Sequence, residues 1–583
     1  MTDMQLNPAE RSAEEALARM YSCIDRSKNF LLEAGAGAGK TYSLKHALRY
    51  LIEERGKDLL RQQQQVACIS YTKVASEQIS SGIDRHPVIH SSTVHSFCWV
   101  MIKDYQPFMR NELPNMPNWP DKIEEAGGIK RQTIGYDDFG FRAIDADHIS
   151  LHHDDVLHLA VKLMDQKKFR MRLTTRYPVL LIDEYQDTNT VIANALKSHF
   201  LDTGEGPLIG FFGDHWQKIY GSGCGRIEHA SLEEIGKQAN FRSVPAIVDV
   251  LNRMRPELPQ QVKDPTAWGS VAVYHTNDWV GTRRRGQHWE GDLPAEVAHN
   301  YLRALKEQLV AHGWDFSPDK TKILMLTHRV LAREQGYSNL ADVFPYNEAF
   351  IKKEDPYIAF FVDIVEPVCT AYENKRFGEM FSVLGTRTPA INRHADKLLW
   401  ARDMTKLLAL RSSGTIGEVL DQLRQAKRPR LSEGLERRER EFEQWLKSPH
   451  VEEDSSKFER LKALRGISYQ EVVALHRFIN NFTPFETKHG VKGAEFENVL
   501  VVVGRGWNQY NFGQFLEWAE SAGRIPPDRQ DAFERNRNLF YVTCSRPTTR
   551  LAVLFTQKLS EIAMSTLEVW FGRDRIQALR VGQ

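Results

Sequence analysis

Leu31 to Thr41, LLEAGAGAGKT, is the stretch from which the rest of the chain can be read. A short apolar run leads into the small residues Ala34, Gly35, Ala36, Gly37, Ala38 and Gly39, and the stretch closes on Lys40 and Thr41 ahead of a helical pattern. Side chains this small let successive backbone N–H groups close around phosphate oxygens. The lysine then reaches the β- and γ-phosphates, and the threonine hydroxyl suits Mg²⁺. Taken alone, the pattern says nucleotide binding and nothing finer.

A companion lies far downstream in Tyr177 to Asp187, YPVLLIDEYQD. The apolar run Val179 to Ile182 reads as a buried strand that delivers Asp183 and Glu184 to its end, where ligands bind in open α/β sheets. Asp183 suits a metal role beside Thr41. Glu184 suits a general base that orients the water attacking a γ-phosphate. The two stretches together predict ATP and Mg²⁺ as ligands.

At 583 residues the chain is too long for one core. Its 77 Lys and Arg nearly cancel 76 Asp and Glu, so a nucleic-acid partner would have to be held in a local groove rather than by a global basic field. The six cysteines show no CxxC spacing, which argues against a zinc ribbon, an iron–sulfur cluster or a disulfide framework. No apolar run approaches the ~18 residues of a membrane span, and the N-terminal residues are acidic and helical rather than signal-like. The expectation is a cytoplasmic protein with no membrane partner.

Along the chain, Asn7 to Ile24 reads as a helix, Phe30 to Glu33 as a strand, and the segment after the phosphate loop as a helix through Glu54. Further strands are expected at Val66 to Ser70, Val179 to Ile182, Leu208 to Phe212, Ser270 to His275, Lys322 to Leu326, Val499 to Val503 and Leu551 to Phe555. This order implies an α/β protein of two domains. The first comprises residues 1–100 and 171–240 around an insert at 101–170; the second comprises 241–340 and 482–583 around a helical insert at 341–481. Arg283 to Arg285 and the cluster Lys427, Arg428 and Arg430 read as solvated faces.

Beyond the two nucleotide motifs, the chain resembles the UvrD/Rep family of superfamily 1 DNA helicases. The resemblance rests on YTKVASEQI (Tyr71 to Ile79), STVHSF (Ser92 to Phe97), HDDVL (His153 to Leu157), DEYQDTN (Asp183 to Asn189), GDHWQKIYG (Gly213 to Gly221), NFRS (Asn240 to Ser243), HGVKGAEF (His489 to Phe496) and LFYVTCSR (Leu539 to Arg546), which run in family order. It implies two RecA-like P-loop NTPase domains with parallel sheets, each with an inserted mostly helical subdomain. It also implies an ATP-dependent helicase or translocase moving 3′-to-5′ on single-stranded DNA.

On the matching positions, the resemblance makes Gln217 a γ-phosphate sensor and Arg242 and Arg546 arginine fingers, beside Lys40 and Glu184. Phe241 becomes the adenine-stacking aromatic and Glu495 the ribose contact. Tyr71, Thr72, His95, Tyr220 and His489 become DNA contacts. His152 and His153 beside Asp154 and Asp155 are then a structural segment rather than a metal site.

Three departures matter. The family's adenine-reading Gln falls on Glu10. The aromatic-Arg pair that follows Ile-Tyr falls on Ser222 and Gly223, which removes a base-stacking wedge and leaves Trp216 as the candidate substitute. Only 37 residues follow Arg546, so no appended nuclease domain is expected. In layout the chain resembles the helicase subunits of two-component bacterial antiphage systems such as Gabija, which implies a separate nuclease partner. Two rival readings remain: a DNA-sensing regulatory ATPase that controls a nuclease with little unwinding, and a P-loop small-molecule kinase, which the second-domain arginines disfavour.

Overall fold

The computed structural model describes residues 7–136, 142–219, 221–286, 289–325, 332, 334–344, 348–351, 353–385, 391, 393–447, 455–480, 485–486, 494–505 and 510–581. Two six-stranded sheets organise them. The first runs in the spatial order Ile89–Thr93, Val66–Ser70, Val179–Asp183, Leu208–Gly213, Phe30–Ala34, Glu233–Lys237, and every neighbouring pair is parallel. Its four central strands are apolar because parallel strands are covered on both faces. Val66–Ser70, Val179–Asp183 and Leu208–Gly213 are buried at every position.

The two edge strands carry no such signal. IHSST and EEIGK are polar and partly solvated, so apolar patterning does not announce them. The helix after the phosphate loop, Lys40–Arg61, runs past Glu54 and through Gly56 to Arg61 because Leu59 still packs into the core.

The second sheet has the order Phe485–Glu486, Thr321–Met325, Phe496–Val503, Pro547–Phe555, Ser270–His275, Ile576–Ala578, again wholly parallel. Two parallel sheets flanked by helices are the doubly wound RecA-like architecture that the motifs imply. Helices from Ser338–Val343 to Tyr469–Ile479 lie between strands of the second sheet and share its largest core, through Trp400, Phe361, Tyr469 and Leu475. Within the first lobe, the mostly helical stretch from Gln106 to Met164 also holds a small three-stranded sheet of Thr133–Gly135, His148–Ser150 and Ala143–Ile144. Strands of two or three residues are too short to show alternation in sequence.

Arg285, Lys427 and Arg430 are exposed as expected, but one arginine of each basic cluster serves the fold. Arg283 donates to the carbonyls of Gly291, Thr556 and Thr276, and Arg428 pairs with Asp403 at 3.0 Å.

Candidate active site

The strand Phe30–Ala34 ends where the phosphate loop begins. Ala34 is its last residue, with its side chain in the core, so an alanine is tolerated where the simple pattern has glycine. Gly39 stands at φ +75° and caps the helix Lys40–Arg61. Gly37 is required twice over. It has φ +77°, and a Cβ there would lie 2.8 Å from Asn240 Oδ1 and 2.9 Å from Arg242 Cβ. The loop therefore opens onto a helix N-terminus, which favours an anion.

Opposite the loop, Asp183 is the buried end of its strand, and its Oδ1 accepts the Glu184 N–H at 3.1 Å. Glu184 adopts a left-handed backbone, φ 48° and ψ 48°, which turns the chain into the short helix Tyr185–Asp187. Such a conformation is unusual for a glutamate and is found where function constrains the chain. Glu184 Oε1 lies 3.6 Å from Lys40 Nζ, and its Oε2 accepts from Gln186 Nε2 at 2.5 Å. From there a polar path crosses the molecule. Gln186 Oε1 accepts the Asp214 N–H at 3.1 Å, Asp214 Oδ2 accepts from Gln217 Nε2 at 2.7 Å, and Gln217 Oε1 accepts from Arg546 Nη2 at 3.4 Å.

The junction between the lobes, from Asn240 onward, clasps the loop. Asn240 Nδ2 and Gln260 Nε2 both donate to the Ala36 carbonyl, at 3.1 and 3.0 Å, and the Phe241 N–H donates to the Gly37 carbonyl at 2.9 Å. Arg242 pairs with Glu495 at 3.0 Å and donates to the Ser545 carbonyl at 3.2 Å. Burial, with the neighbouring Arg242, pushes the Arg546 guanidinium down to about 9. Two neighbouring arginines, of which Arg242 meets the exposed Glu495, make a place for an anion.

Phe241 is 38% exposed and Tyr42 55%, and the ammonium of Lys237 sits 5.8 and 5.5 Å from their ring centres. Lys237 is itself buried, bound to Ser43 Oγ at 2.8 Å and the Gly39 carbonyl at 3.3 Å, and burial lowers it to about 8. Glu10 belongs to a helix cap: it donates its N–H to Asn7 Oδ1 at 2.9 Å and accepts the Asn7 N–H at 3.2 Å.

Lys237, Gln260 and Tyr541 were not singled out by the sequence reading. Tyr541 at least lies inside LFYVTCSR, whereas a lysine on a polar edge strand and a glutamine in a Pro-rich turn give no local signal.

Of the positions expected to contact DNA, Tyr71 is 40% exposed, while the Thr72 hydroxyl caps the helix Lys73–Ser81 by accepting the Ala75 N–H at 3.1 Å. His95 is half-buried and edge-on to His153 at 5.4 Å; burial and that neighbour lower its pKa. Tyr220 and His489 lie outside the described residues.

Trp216 corrects an expectation. It is buried between the lobes, 5.3 Å from the Tyr541 ring and under the guanidiniums of Arg537 and Arg255 at 4.4 and 5.2 Å, so it does not substitute for the stacking wedge. Ser222 and Gly223 lie against the acidic motif. The Ser222 carbonyl accepts from Thr190, and a Cβ on Gly223 would fall 2.4 Å from the Gln186 carbonyl oxygen.

The histidine pair is likewise occupied by structure. His152 caps its helix, His153 bonds the Tyr136 hydroxyl at 2.6 Å, and Asp155 takes Arg142 through both oxygens.

Among the described residues, Glu33, Asp214 and His215 are close enough together to hold a metal. A protein cation already fills that role. Arg255 meets Asp214 Oδ1 at 2.6 Å and Glu33 Oε1 at 2.9 Å. His215 Nδ1 lies 2.7 Å from Glu33 Oε1, and the Tyr185 hydroxyl donates to Glu33 Oε2 at 2.6 Å. Burial by itself would raise the Glu33 carboxyl; His215, Arg255 and Tyr185 reverse that and hold it well below the usual carboxylate range.

A Gly-rich loop at a helix N-terminus, an acidic strand end, and a second parallel-sheet lobe that brings arginines toward the same loop define a P-loop NTPase of helicase type. The comparisons agree. Residues 19–223 match a family model described as an AAA domain. The chain is 22% identical to the Gabija protein GajB of Bacillus cereus (strain HuB5-5), over 98% of this chain and 99% of that one. It is 26% identical to the ATP-dependent DNA helicase Rep of Buchnera aphidicola subsp. Baizongia pistaciae (strain Bp), over 27% of this chain and 25% of that one. The resemblance to UvrD/Rep-like helicases drawn from the motifs is thus borne out. No described helix is long and apolar enough to cross a membrane.

Proposed function

We propose that the chain couples ATP hydrolysis to movement along single-stranded DNA with 3′-to-5′ polarity, and that it acts beside a separate nuclease in antiviral defence. The observation that carries this reading is the polar path from Lys40 and Glu184 through Gln186, Asp214 and Gln217 to Arg546. It ties the catalytic carboxylate of one lobe to an arginine of the other. The Gabija relative supports the defence setting and the Rep relative supports DNA as the track.

The donor set fits a nucleoside triphosphate with Mg²⁺. Lys40, Arg242 and Arg546 are the cations set about the loop, and Thr41 and Asp183 supply the hard oxygen ligands such an ion takes. Bound Mg²⁺ would neutralise charge on the phosphates. Glu184 orients and deprotonates the attacking water, while Gln217, Arg242 and Arg546 stabilise charge on the γ-phosphate. Phe241, with Tyr42 beside it, offers a face to the base, and Glu495, paired with Arg242, is the proposed ribose contact. When the γ-phosphate leaves, the arginines lose their partner and the lobes can part, which is the stroke of a translocase. Tyr71, Thr72 and His95 of the first lobe, with Tyr220 and His489, are the proposed DNA contacts, aromatic faces serving bases of any sequence. We assign the motor lobes to residues 1–240 and 241–583, with the inserts at 101–170 and 341–481.

A DNA-stimulated ATPase assay run beside strand displacement of a 3′-tailed duplex tests this. Stimulated hydrolysis with displacement supports a helicase; hydrolysis that DNA does not stimulate overturns the reading. A second reading, a DNA-sensing ATPase that regulates the nuclease with little unwinding, is favoured by Ser222 and Gly223 packing on the acidic motif and by the burial of Trp216. Stimulated hydrolysis without displacement selects it.

A further inference from the structure

The seam behind the phosphate loop contains a residue that no motif includes. Arg255 ends the helix Pro245–Met254 of the second lobe, is 2% exposed, and reaches across the seam to two carboxylates of the first lobe. Those carboxylates are not passive. Glu33 lies on the strand that runs into the phosphate loop, and Asp214 holds the side-chain amide of Gln217. Asp214 has two oxygens with divided duties: Oδ1 accepts from Arg255 at 2.6 Å and from the Trp216 N–H at 3.0 Å, and Oδ2 accepts from Gln217 at 2.7 Å. Fixing Oδ1 fixes where Oδ2 points, and Oδ2 sets the rotamer in which Gln217 Oε1 faces Arg546.

The turn that carries Gln217 is also held from its other side. Asn538 donates to the carbonyls of His215 and Lys218, each at 3.1 Å, and Trp216 is packed between the guanidiniums of Arg255 and Arg537. Both holds come from the second lobe. The Gln217 turn therefore belongs to the first lobe by chain and to the second by contact.

We infer that Arg255 is a positioning residue for ATP hydrolysis: by bridging Asp214 and Glu33 across the lobe seam it aligns Gln217 with the γ-phosphate only while the lobes are closed. This rests on the proposed role of Gln217. A guanidinium suits the task because its planar fork satisfies two carboxylates at once, which a lysine ammonium on a flexible stem does in neither direction as well. Opening the seam would separate Arg255 from both carboxylates and release Gln217 together with them, so hydrolysis would be confined to the closed state.

The test is steady-state ATPase with saturating single-stranded DNA on the full chain, for wild type, Arg255→Lys, Gln217→Ala and the double variant, with thermal melting of each. The inference expects Arg255→Lys to lower kcat by about 10–100-fold with the KM for ATP nearly unchanged, the cost of misplacing a catalytic group. It expects the double variant to be no worse than Gln217→Ala alone, because one residue acts through the other. A wild-type kcat in folded Arg255→Lys, a rise in KM that accounts for the loss, or losses that multiply in the double variant would each overturn it. If Arg255→Lys does not fold, Arg255→Gln takes its place under the same expectations. A Gln217→Ala with wild-type kcat removes the proposed role of Gln217 itself, whereas an impaired Gln217→Ala beside an intact Arg255→Lys removes only the inference.

Discussion

Arg546 and Arg255 are both buried, at 1% and 2% exposure, and both stand where the lobes meet, yet their surroundings push them in opposite directions. Arg255 faces Asp214 and Glu33. Although burial lowers it, those carboxylates raise its pKa above the ordinary arginine value. Among the described residues Arg546 donates only to carbonyl and amide oxygens, those of Val542, Ala494 and Gln217, and burial with the nearby Arg242 lowers it to about 9 against the more distant pull of Glu184 and Asp214. Burying a charge without a counter-ion is expensive, and a site that retains one has a use for it. The difference separates the two jobs. The arginine hydrogen-bonded to carboxylates holds the lobes together, and the arginine with no carboxylate in direct contact among the described residues is the one fitted to an anion brought by a ligand.

Three predictions bear on that contrast, and the largest effect belongs to the loop itself. Lys40→Ala should abolish hydrolysis and weaken nucleotide binding, while Glu184→Gln should keep binding and lose turnover. Equilibrium binding of a fluorescent ATP analogue beside single-turnover hydrolysis separates the two. A Glu184→Gln protein that turns over at the wild-type rate would remove the base from Glu184.

Next comes the pair of arginines. Arg546→Ala should cut kcat by about 10³-fold, with Arg242→Ala similar in kcat, and Arg546→Ala should lower the unfolding free energy by about 1–3 kcal/mol, because it leaves carbonyl and amide acceptors unpaired but no directly bonded carboxylate. Arg255→Met should cost more in stability: Glu33 and Asp214 are left buried without the guanidinium that bridges them, at about 3–5 kcal/mol. Urea unfolding of both variants decides the matter. Equal destabilisation would erase the distinction drawn between them.

How much of this was readable beforehand follows from where each signal is stored. The phosphate loop and the acidic strand end are contiguous in sequence, and the strands that carry them are unbroken apolar runs, so pattern and chemistry coincide. The edge strands Ile89–Thr93 and Glu233–Lys237 are held by pairing on one side alone and tolerate polar residues, which hides them. Arg255 is hidden for another reason. Its partners lie 41 and 222 positions away, and nothing local to PELPQ or to the preceding helix marks it. Trp216 misled because an exposed stacking aromatic and an interlobe aromatic look the same in a string. Only the guanidiniums of Arg255 and Arg537 on its ring distinguish them.

The smallest expected effect sharpens the contrast from the acidic side. Glu33 accepts from Arg255, His215 and Tyr185, and these partners outweigh its burial to hold the carboxyl below its ordinary value of 4.5. A carboxyl whose pKa is lower folded than unfolded stabilises the fold above the unfolded value, and this contribution is lost as pH falls toward the folded value, because the unfolded chain then binds the extra proton. Glu33→Gln keeps the shape and some of the hydrogen bonds but removes the charge. It should cost about 1.5–3 kcal/mol at pH 7, the range for a hydrogen bond to a charged group. The gap between variant and wild type should stay level down to about pH 5 and narrow below it, as the Glu33 carboxylate of the unfolded wild-type chain begins to protonate while the folded one stays ionised. Urea unfolding of both proteins at pH 7, 5, 4.5 and 4 reads that gap directly. A gap that is unchanged at pH 4, or that widens, would mean that Glu33 is not held ionised by Arg255, and of the two carboxylates only Asp214 would then anchor that arginine.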